Sequence, residues 1–554
     1  MMSVETVLID ALIRAAETLG LSTGSLPAVE IGRPRQKGHG DLSSNLAMVL
    51  ASHFKKNPRQ VAEELLRHLR LDSGLILKTE IAGPGFINFT LNPDYFFETL
   101  RRILRDGKKY GCSDRGKGKK TQVEFVSANP TGPLTIGHGR QAVIGDTIAR
   151  LLEATGHEVV REYYFNDAGR QMRVLGDSVR LRYLELIGMA VTFPDEYYQG
   201  AYIREIAQKA VEEKGDSLKS GDATDYFSGL AEQEIFALIR QTLDRLGIRF
   251  DVFYNEKSLY ETGKIDAVLQ ALRGKDLAYE ADGATWFRTT RFGMEQDRVI
   301  VKSTGEPTYR LPDIAYHKDK MDRGFDLIVD IFGADHIATY PDVLAGMEAL
   351  GYDPSRVKVL IHQFVTLTEG REKIKMSTRK ANFVTLDELM DEVGADVTRY
   401  FFLNRSMSSH LNFDLTLAKT QSDENPVYYV QYAHARISSI LRKAGEAGLD
   451  PDGEADLTRL RAPEEMDLIK ALGTFPEVVS DAAEQFEPHR IPAYLEELAT
   501  LYHRFQHAGK EDESLRVLSK DREASQARLA LCRATRTVLA NGLSLLGISK
   551  PEKM

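Results

Sequence analysis

The stretch best equipped for chemistry is Ser127-Ala128-Asn129-Pro130-Thr131-Gly132-Pro133-Leu134-Thr135-Ile136-Gly137-His138-Gly139-Arg140. The alternating run Val123-Glu124-Phe125-Val126 before it reads as a β-strand. Beyond it, Val143, Ile144, Thr147, Ile148, Leu151 and Leu152 fall at helical spacing between Gln141 and Glu153. The chain thus passes from a strand, through a Pro/Gly turn, into a helix that opens at Gly137-His138-Gly139. A helix N-terminus presents unpaired N–H groups and the positive end of its dipole, which suits a phosphate. The glycines let that backbone approach a ligand, and His138 adds a side chain able to donate to a phosphate oxygen. A nucleotide is expected here. Two other readings stay open. Gly137-x-Gly139-x-x-Ala142 also fits a dinucleotide fingerprint, with Glu158 or Glu162 as its acidic partner. With 43 glycines in the chain such a match arises easily by chance, and a structural Gly-rich turn holding nothing is the other reading.

A second stretch lies far downstream, after the apolar run Val357-Lys358-Val359-Leu360-Ile361. In Arg371-Glu372-Lys373-Ile374-Lys375-Met376-Ser377-Thr378-Arg379-Lys380, five of the ten residues are basic, and Ser377 and Thr378 interrupt any apolar face. Such a run serves either as a solvated surface loop or as a basic loop that closes over a triphosphate.

Taken in this order, a His-bearing strand-to-helix turn and a later Lys-Met-Ser loop resemble the HIGH and KMSKS motifs of class I aminoacyl-tRNA synthetases. The segment Val123 to Leu134 is similar to the one preceding HIGH in bacterial arginyl-tRNA synthetases. So are Tyr163-Tyr164-Phe165-Asn166-Asp167-Ala168-Gly169, Tyr309-Arg310-Leu311-Pro312-Asp313-Ile314-Ala315-Tyr316-His317 and Gly333-Ala334-Asp335-His336. The N-terminal Gly38-His39-Gly40-Asp41 and Ala82-Gly83-Pro84-Gly85-Phe86-Ile87-Asn88 also resemble that family, as does Tyr428-Tyr429-Val430-Gln431-Tyr432-Ala433-His434-Ala435-Arg436. The resemblance covers nearly the whole chain. At two positions this sequence departs from the pattern. Thr135 stands where the family usually has the first histidine of HIGH, and Thr378 stands where the superfamily has the second lysine of KMSKS. Threonine donates a hydrogen bond but carries no charge.

The resemblance implies ATP-dependent attachment of arginine to tRNA(Arg), by way of an arginyl-adenylate. His138, Thr135, Lys375 and Arg379 would be catalytic. Gly137, His138, Gly139, Asp335, His336, Met376 and Ser377 would bind ATP. Asp335 and His336 also follow the apolar strand Leu327 to Phe332, a loop position where open α/β sheets hold nucleotides. Glu124 and Asp313 are carried over as the carboxylates for arginine, since a carboxylate accepts two parallel guanidinium hydrogen bonds. Tyr309 would sit beside the substrate, with Ser127 and Asn129 near its amino and carboxylate groups. A forked site of this kind would reject lysine. Mg²⁺ is expected with ATP, and zinc is not.

These residues need elements to position them. Strand-helix alternation through Glu158 to Phe165, Asp326 to Phe332 and Val357 to Ile361 argues for a parallel α/β sheet. By resemblance it is a Rossmann-type catalytic domain at 116–390, with a helical, highly charged insertion at about 175–250. Residues 1–115 read as an α+β domain. Its loop around Gly38 would touch the tRNA elbow by resemblance, and Asp114 to Lys120 reads as a charged linker. Residues 391–554 read as almost wholly helical, an all-α bundle that by resemblance binds the anticodon. In its last helix, Ala524 to Leu546, Cys532, Leu539, Leu543 and Leu546 form one stripe, and Arg528, Arg533 and Arg536 a solvated basic side.

The 554-residue length favours about three or four domains. Hydrophobic content of 42% and charged content of 28% are ordinary for a globular chain. The first helix carries Glu5, Asp10, Arg14 and Glu17, so neither a signal peptide nor a membrane span is expected. Cys112 and Cys532 alone make no disulfide framework or thiol cluster, which suits the cytoplasm. A net charge of −9 argues against indiscriminate nucleic-acid binding, but local basic patches still allow tRNA. A monomer is expected. Three alternatives remain at this stage: a small-molecule nucleotidyltransferase, a non-catalytic tRNA-binding relative, and an NAD-dependent oxidoreductase.

Overall fold

The computed structural model describes residues 4–21, 26–34, 38–167, 169–220, 223–334, 337, 339–370, 372–373 and 385–554. The chain falls into two compact units. One comprises Met1–Gly107, Leu441–Gly473 and Arg504–Thr535; the other comprises Lys108–Ile440, Thr474–His503 and Arg536–Met554.

In the first unit, an antiparallel sheet runs in the order Ile31–Gly32, Leu42–Ser44, Phe86–Leu91, Ile76–Ala82. Helices Pro58–His68 and Pro93–Asp106 begin alike. Asn57 and Asn92 accept from the N–H groups of Arg59 and Asp94, and proline follows each cap, where its missing N–H costs nothing. Helix Val4–Thr18 buries Leu8, Leu12, Ala15 and Ala16 along one stripe. Arg528, expected on a solvated side, is instead buried, with its Nε 2.6 Å from Glu465. Its guanidinium also donates to the carbonyls of Ser514 and Arg516. A buried arginine needs such partners, and sequence periodicity does not reveal when they are supplied.

The second unit is built on five parallel strands: β1 (Lys120–Glu124), β2 (Glu158–Phe165), β3 (Val252–Asn255), β4 (Leu327–Gly333) and β5 (Val357–His362). Their order is β5-β4-β1-β2-β3, so the chain leaves the central β1 first to one side and later to the other. Helix α1 (Ile136–Ala154) links β1 to β2, and its Gly145 allows close packing, since a Cβ there would come within 2.2 Å of Phe125. Between β2 and β3 come helices Gly169–Leu186, Ala201–Lys214 and Thr224–Arg245. Tyr163 and Phe165 of β2 meet Phe236 of the last of these edge-on. Helix α2 (Arg310–Asp322) packs Leu311, Ile314, Ala315 and Tyr316 into the apolar core shared with Ile328 and Val343. Trp286 is half-buried in a three-stranded antiparallel sheet and donates to the carbonyl of Ala281.

The stretch after residue 390, expected to be helical, also contains a strand. Leu411–Asp414 pairs in parallel with Val365–Glu369. Four residues of mixed polarity give too short a pattern to stand out between helices; the pairing, a non-local contact, makes the strand. No helix among the described residues is long and apolar enough to cross a membrane.

Candidate active site

A cavity of about 990 Å³ opens at the carboxyl ends of the parallel strands. This is where the strand order reverses, the place at which open α/β sheets bind ligands. Glu124, Ser127 and Asn129 reach it from the end of β1, Tyr164 and Asn166 from β2, Glu256 from just beyond β3, Phe332 and Gly333 from β4, and His362 from β5. Tyr309, Asp313, Tyr316 and His317 line it from α2 and its preceding residue.

One side of the cavity is the N-terminus of α1. Thr135 is its cap: its side chain accepts from the N–H of His138, and its own N–H donates to His138 Nδ1 at 3.2 Å. In a neutral ring this acceptor role places the proton on Nε2. Gly137 and His138 line the cavity; Gly139 does not, because its N–H donates to the carbonyl of Thr135 and a Cβ there would meet Leu386 at 2.5 Å. Gly139 therefore serves packing, and of the three residues Gly137, His138 and Gly139 expected at the nucleotide only the first two face the cavity. Lys375, Met376, Ser377, Thr378 and Arg379 lie outside the described residues, as do Asp335 and His336. The described chain resumes at Thr385, which bridges to Thr135, while Leu386 donates to the carbonyl of Leu134.

One turn into the helix, Arg140 is 0% exposed, with its guanidinium 2.6 Å from the carbonyl of Gln363 and 3.0 Å from those of Ser406 and Ser409. These carbonyls belong to the segments that lead into Val365–Glu369 and Leu411–Asp414. Burial without a carboxylate partner pulls Arg140 down to about 10.

The cavity is also lined by acidic residues. Val126 and Ser127 adopt left-handed φ of 67° and 42° as the chain leaves β1, a costly conformation for a β-branched residue. The turn aims Ser127 back at the sheet: its Oγ donates to Glu124 at 2.9 Å and accepts from the N–H of Tyr164. Asn129 is braced too, accepting from the N–H of Asn166 and donating to Gln171. Glu124 is almost fully buried, with its other oxygen 2.5 Å from Lys320. Asp313 and Glu256 line the same cavity. Burial, reinforced by Glu256 and Glu124 and opposed by His317, raises Asp313 to about 7. Burial also raises Glu256, against the donation from the Tyr164 hydroxyl at 2.7 Å. Tyr309 is 51% exposed at the cavity mouth, and its ring carries the Arg310 guanidinium 4.7 Å from its centroid.

Several of these residues were invisible to motif reading. Lys320, Asp330 and Glu256 carry charge at the site, yet none stands in a recognised motif. A signal did exist for two of them. Tyr309, Asp313, Tyr316, His317 and Lys320 recur at helical spacing on one face, and Asp330 is a carboxylate inside an apolar strand. Glu162, an acidic candidate for a dinucleotide ribose, is fully buried and held by Arg323 and Tyr316.

Five parallel strands in this order, with a His-bearing helix N-terminus over their carboxyl ends, are the architecture of a class I aminoacyl-tRNA synthetase catalytic domain. The chain matches the family described as tRNA synthetases class I (R), catalytic domain, over residues 99–409. It also matches the arginyl tRNA synthetase N terminal domain over 3–91 and the DALR anticodon binding domain over 430–554. The arginine–tRNA ligase of Desulfotalea psychrophila is 54% identical over 523 residues, 94% of each chain. That of Salinibacter ruber is 51% identical over 544 residues, 95% of this chain and 96% of its own. The Thermus thermophilus arginyl-tRNA synthetase structure shares the fold, with a TM-score of 0.78 at 24% identity and both chains fully covered. The chain belongs to the arginyl-tRNA synthetase family.

Proposed function

We infer that the protein joins arginine to tRNA(Arg) at the expense of ATP, through an arginyl-adenylate. One observation carries the reading beyond family membership: a single cavity joins a helix N-terminus suited to phosphate with the carboxylates of Asp313 and Glu256, suited to a guanidinium. In the first step the arginine carboxylate attacks the α-phosphorus of ATP in line. The bond from that phosphorus to the bridging oxygen breaks, and pyrophosphate leaves. In the second step a terminal ribose hydroxyl of tRNA attacks the arginyl carbonyl, and AMP leaves. No covalent intermediate with the protein is needed, so positioning and charge stabilisation supply the rate.

His138 Nε2, Thr135 and the Gly137 backbone would face the phosphates. Lys375, Arg379, Asp335, His336, Met376 and Ser377 complete the nucleotide end by resemblance. Ser127, Asn129 and Glu124 would hold the amino and carboxylate groups, while Asp313, Glu256 and Tyr309 would take the guanidinium. The phosphate end offers donors and a histidine, not a carboxylate cage. That suits a Mg²⁺ held mainly by phosphate oxygens and water, which would neutralise phosphate charge when bound. In this reading residues 1–115 touch the tRNA, 391–554 bind its anticodon loop, and 116–390 with the insertion at about 175–250 carry out catalysis. The enzyme would act as a cytoplasmic monomer.

ATP–pyrophosphate exchange, scanned over the amino acids with and without tRNA, tests the reading. Exchange with arginine alone among the amino acids is the expected result. Binding of tRNA with no exchange under either condition would instead mark a silenced relative.

A further inference from the structure

Three carboxylates stand in one register row across neighbouring strands. Asp330 of β4 pairs with Glu124 of β1, which pairs with Glu162 of β2, and all three are buried. Like charges placed side by side on a sheet repel, and burial makes each more costly. Helix α2 answers the row from above. Arg323, at its end, puts two guanidinium nitrogens 2.5 and 2.8 Å from Glu162, and the Tyr316 hydroxyl donates to the same carboxylate at 2.6 Å. Lys320, 0% exposed, sits between the other two, with Nζ 2.5 Å from Glu124 and 2.6 Å from Asp330. His317 Nε2 lies 2.9 Å from Asp330, and its Nδ1 lies 2.8 Å from the carbonyl of Asp313. Both ring nitrogens thus sit within hydrogen-bond distance of an oxygen of the row or of its helix. The row and its cations close among themselves, even though Glu124 and His317 line the cavity.

Asp313 and Glu256 line the same cavity without an ion pair among the described residues. Of the carboxylates that line the cavity, Glu124 is thus paired with a buried cation, while Asp313 and Glu256 have no ion pair among the described residues. Arginine is divided the same way, with a zwitterionic head of no net charge and a cationic tail.

We propose that Lys320 is a positioning residue that sets the direction in which the amino acid lies. By pairing with both Glu124 and Asp330, it lowers the negative charge that Glu124 presents to the head and leaves Asp313 and Glu256 to draw the guanidinium. The proposal rests on the cavity being the arginine site. Without Lys320 the Glu124 side becomes more anionic: it repels the substrate carboxylate and attracts a second cation. Without the charge of Asp330, Lys320 is left to Glu124 alone, that side loses a negative charge, and the bias shifts the other way.

The test uses the full-length protein with tRNA at pH 8. It compares the arginine KM with the competitive Ki of agmatine, which has both cations and no carboxylate. For Lys320→Met, the ratio of arginine KM to agmatine Ki should rise by about tenfold or more, the effect of one charged contact. For Asp330→Asn it should fall by a similar factor. Lys320→Arg, which keeps the charge, should stay within about threefold of the wild type, as should the ATP KM of every variant. A merely structural role weakens all ligands together and cannot move the ratio in opposite directions. If one variant fails to fold, the sign of the other decides. An unmoved ratio, or a shift of the wrong sign, overturns the proposal. Absence of arginine-dependent activity in the wild type, or agmatine that does not compete, overturns the arginine reading beneath it.

Discussion

Asp313 should make arginine binding depend on pH near neutrality. Its carboxyl is raised from 3.8 to about 7 in the empty cavity, chiefly by burial, and must be ionised to hold a guanidinium. With that value, roughly nine in ten Asp313 carboxyls are ionised at pH 8 and roughly one in ten at pH 6. Apparent affinity scales with the competent fraction, so the arginine Kd should weaken about tenfold from pH 8 to pH 6. Calorimetry at pH 7 in buffers of different ionisation enthalpy should also register proton release on binding. The same group makes a stability prediction of definite sign. From the ordinary carboxyl value up to about 7, the folded state holds a proton that the unfolded chain has lost. Stability therefore falls as pH rises through this window and levels off above it. The penalty comes to ~4 kcal/mol at pH 8 and ~2 kcal/mol at pH 5, both upper limits because the carboxyl opens on a solvent-filled cavity. Asp313→Asn should thus stabilise the empty enzyme more at pH 8 than at pH 5 while abolishing arginine binding. An arginine affinity that is flat between pH 6 and 8, or a stability gain that does not grow with pH, refutes the reasoning.

Other outcomes follow from the same geometry. His138→Asn should lower the rate of pyrophosphate exchange on the order of 100-fold, as loss of a transition-state donor does, with little change in the arginine KM. Thr135→Ala removes the side-chain cap of α1 and should cost about 1 kcal/mol in thermal or urea unfolding. Arg140→Met strips three part-buried carbonyls of their charged donor and should cost about 2 kcal/mol or more by urea unfolding. A loss below 1 kcal/mol would mean that water reaches those carbonyls.

Local patterns made much of the site legible in the sequence. The strand, turn and capped helix around Gly137 and His138 are built from neighbours in the chain, so propensity, glycine placement and periodicity define them. The same holds for Asn57-Pro58 at the head of a helix and for the strands β1, β2, β4 and β5, whereas Val252–Asn255 is too short to stand out. Gly139 shows the limit. It directly follows Gly137 and His138, which face the cavity, yet its own surroundings, Leu386 and Phe402, come from distant parts of the chain.

The sequence by itself thus determined the alternation of strands and helices, the helix N-terminus fit for phosphate, and the acidic residues available for a cation. Tertiary structure alone decided which of those carboxylates stay open. Register brought Asp330, Glu124 and Glu162 into one row, and α2 laid Lys320 and Arg323 against it, leaving Asp313 and Glu256 to the cavity. The reason is physical: a charge takes its role from its desolvation and from its partner. Both are set by residues far away in the chain, Lys320 lying 196 positions from Glu124.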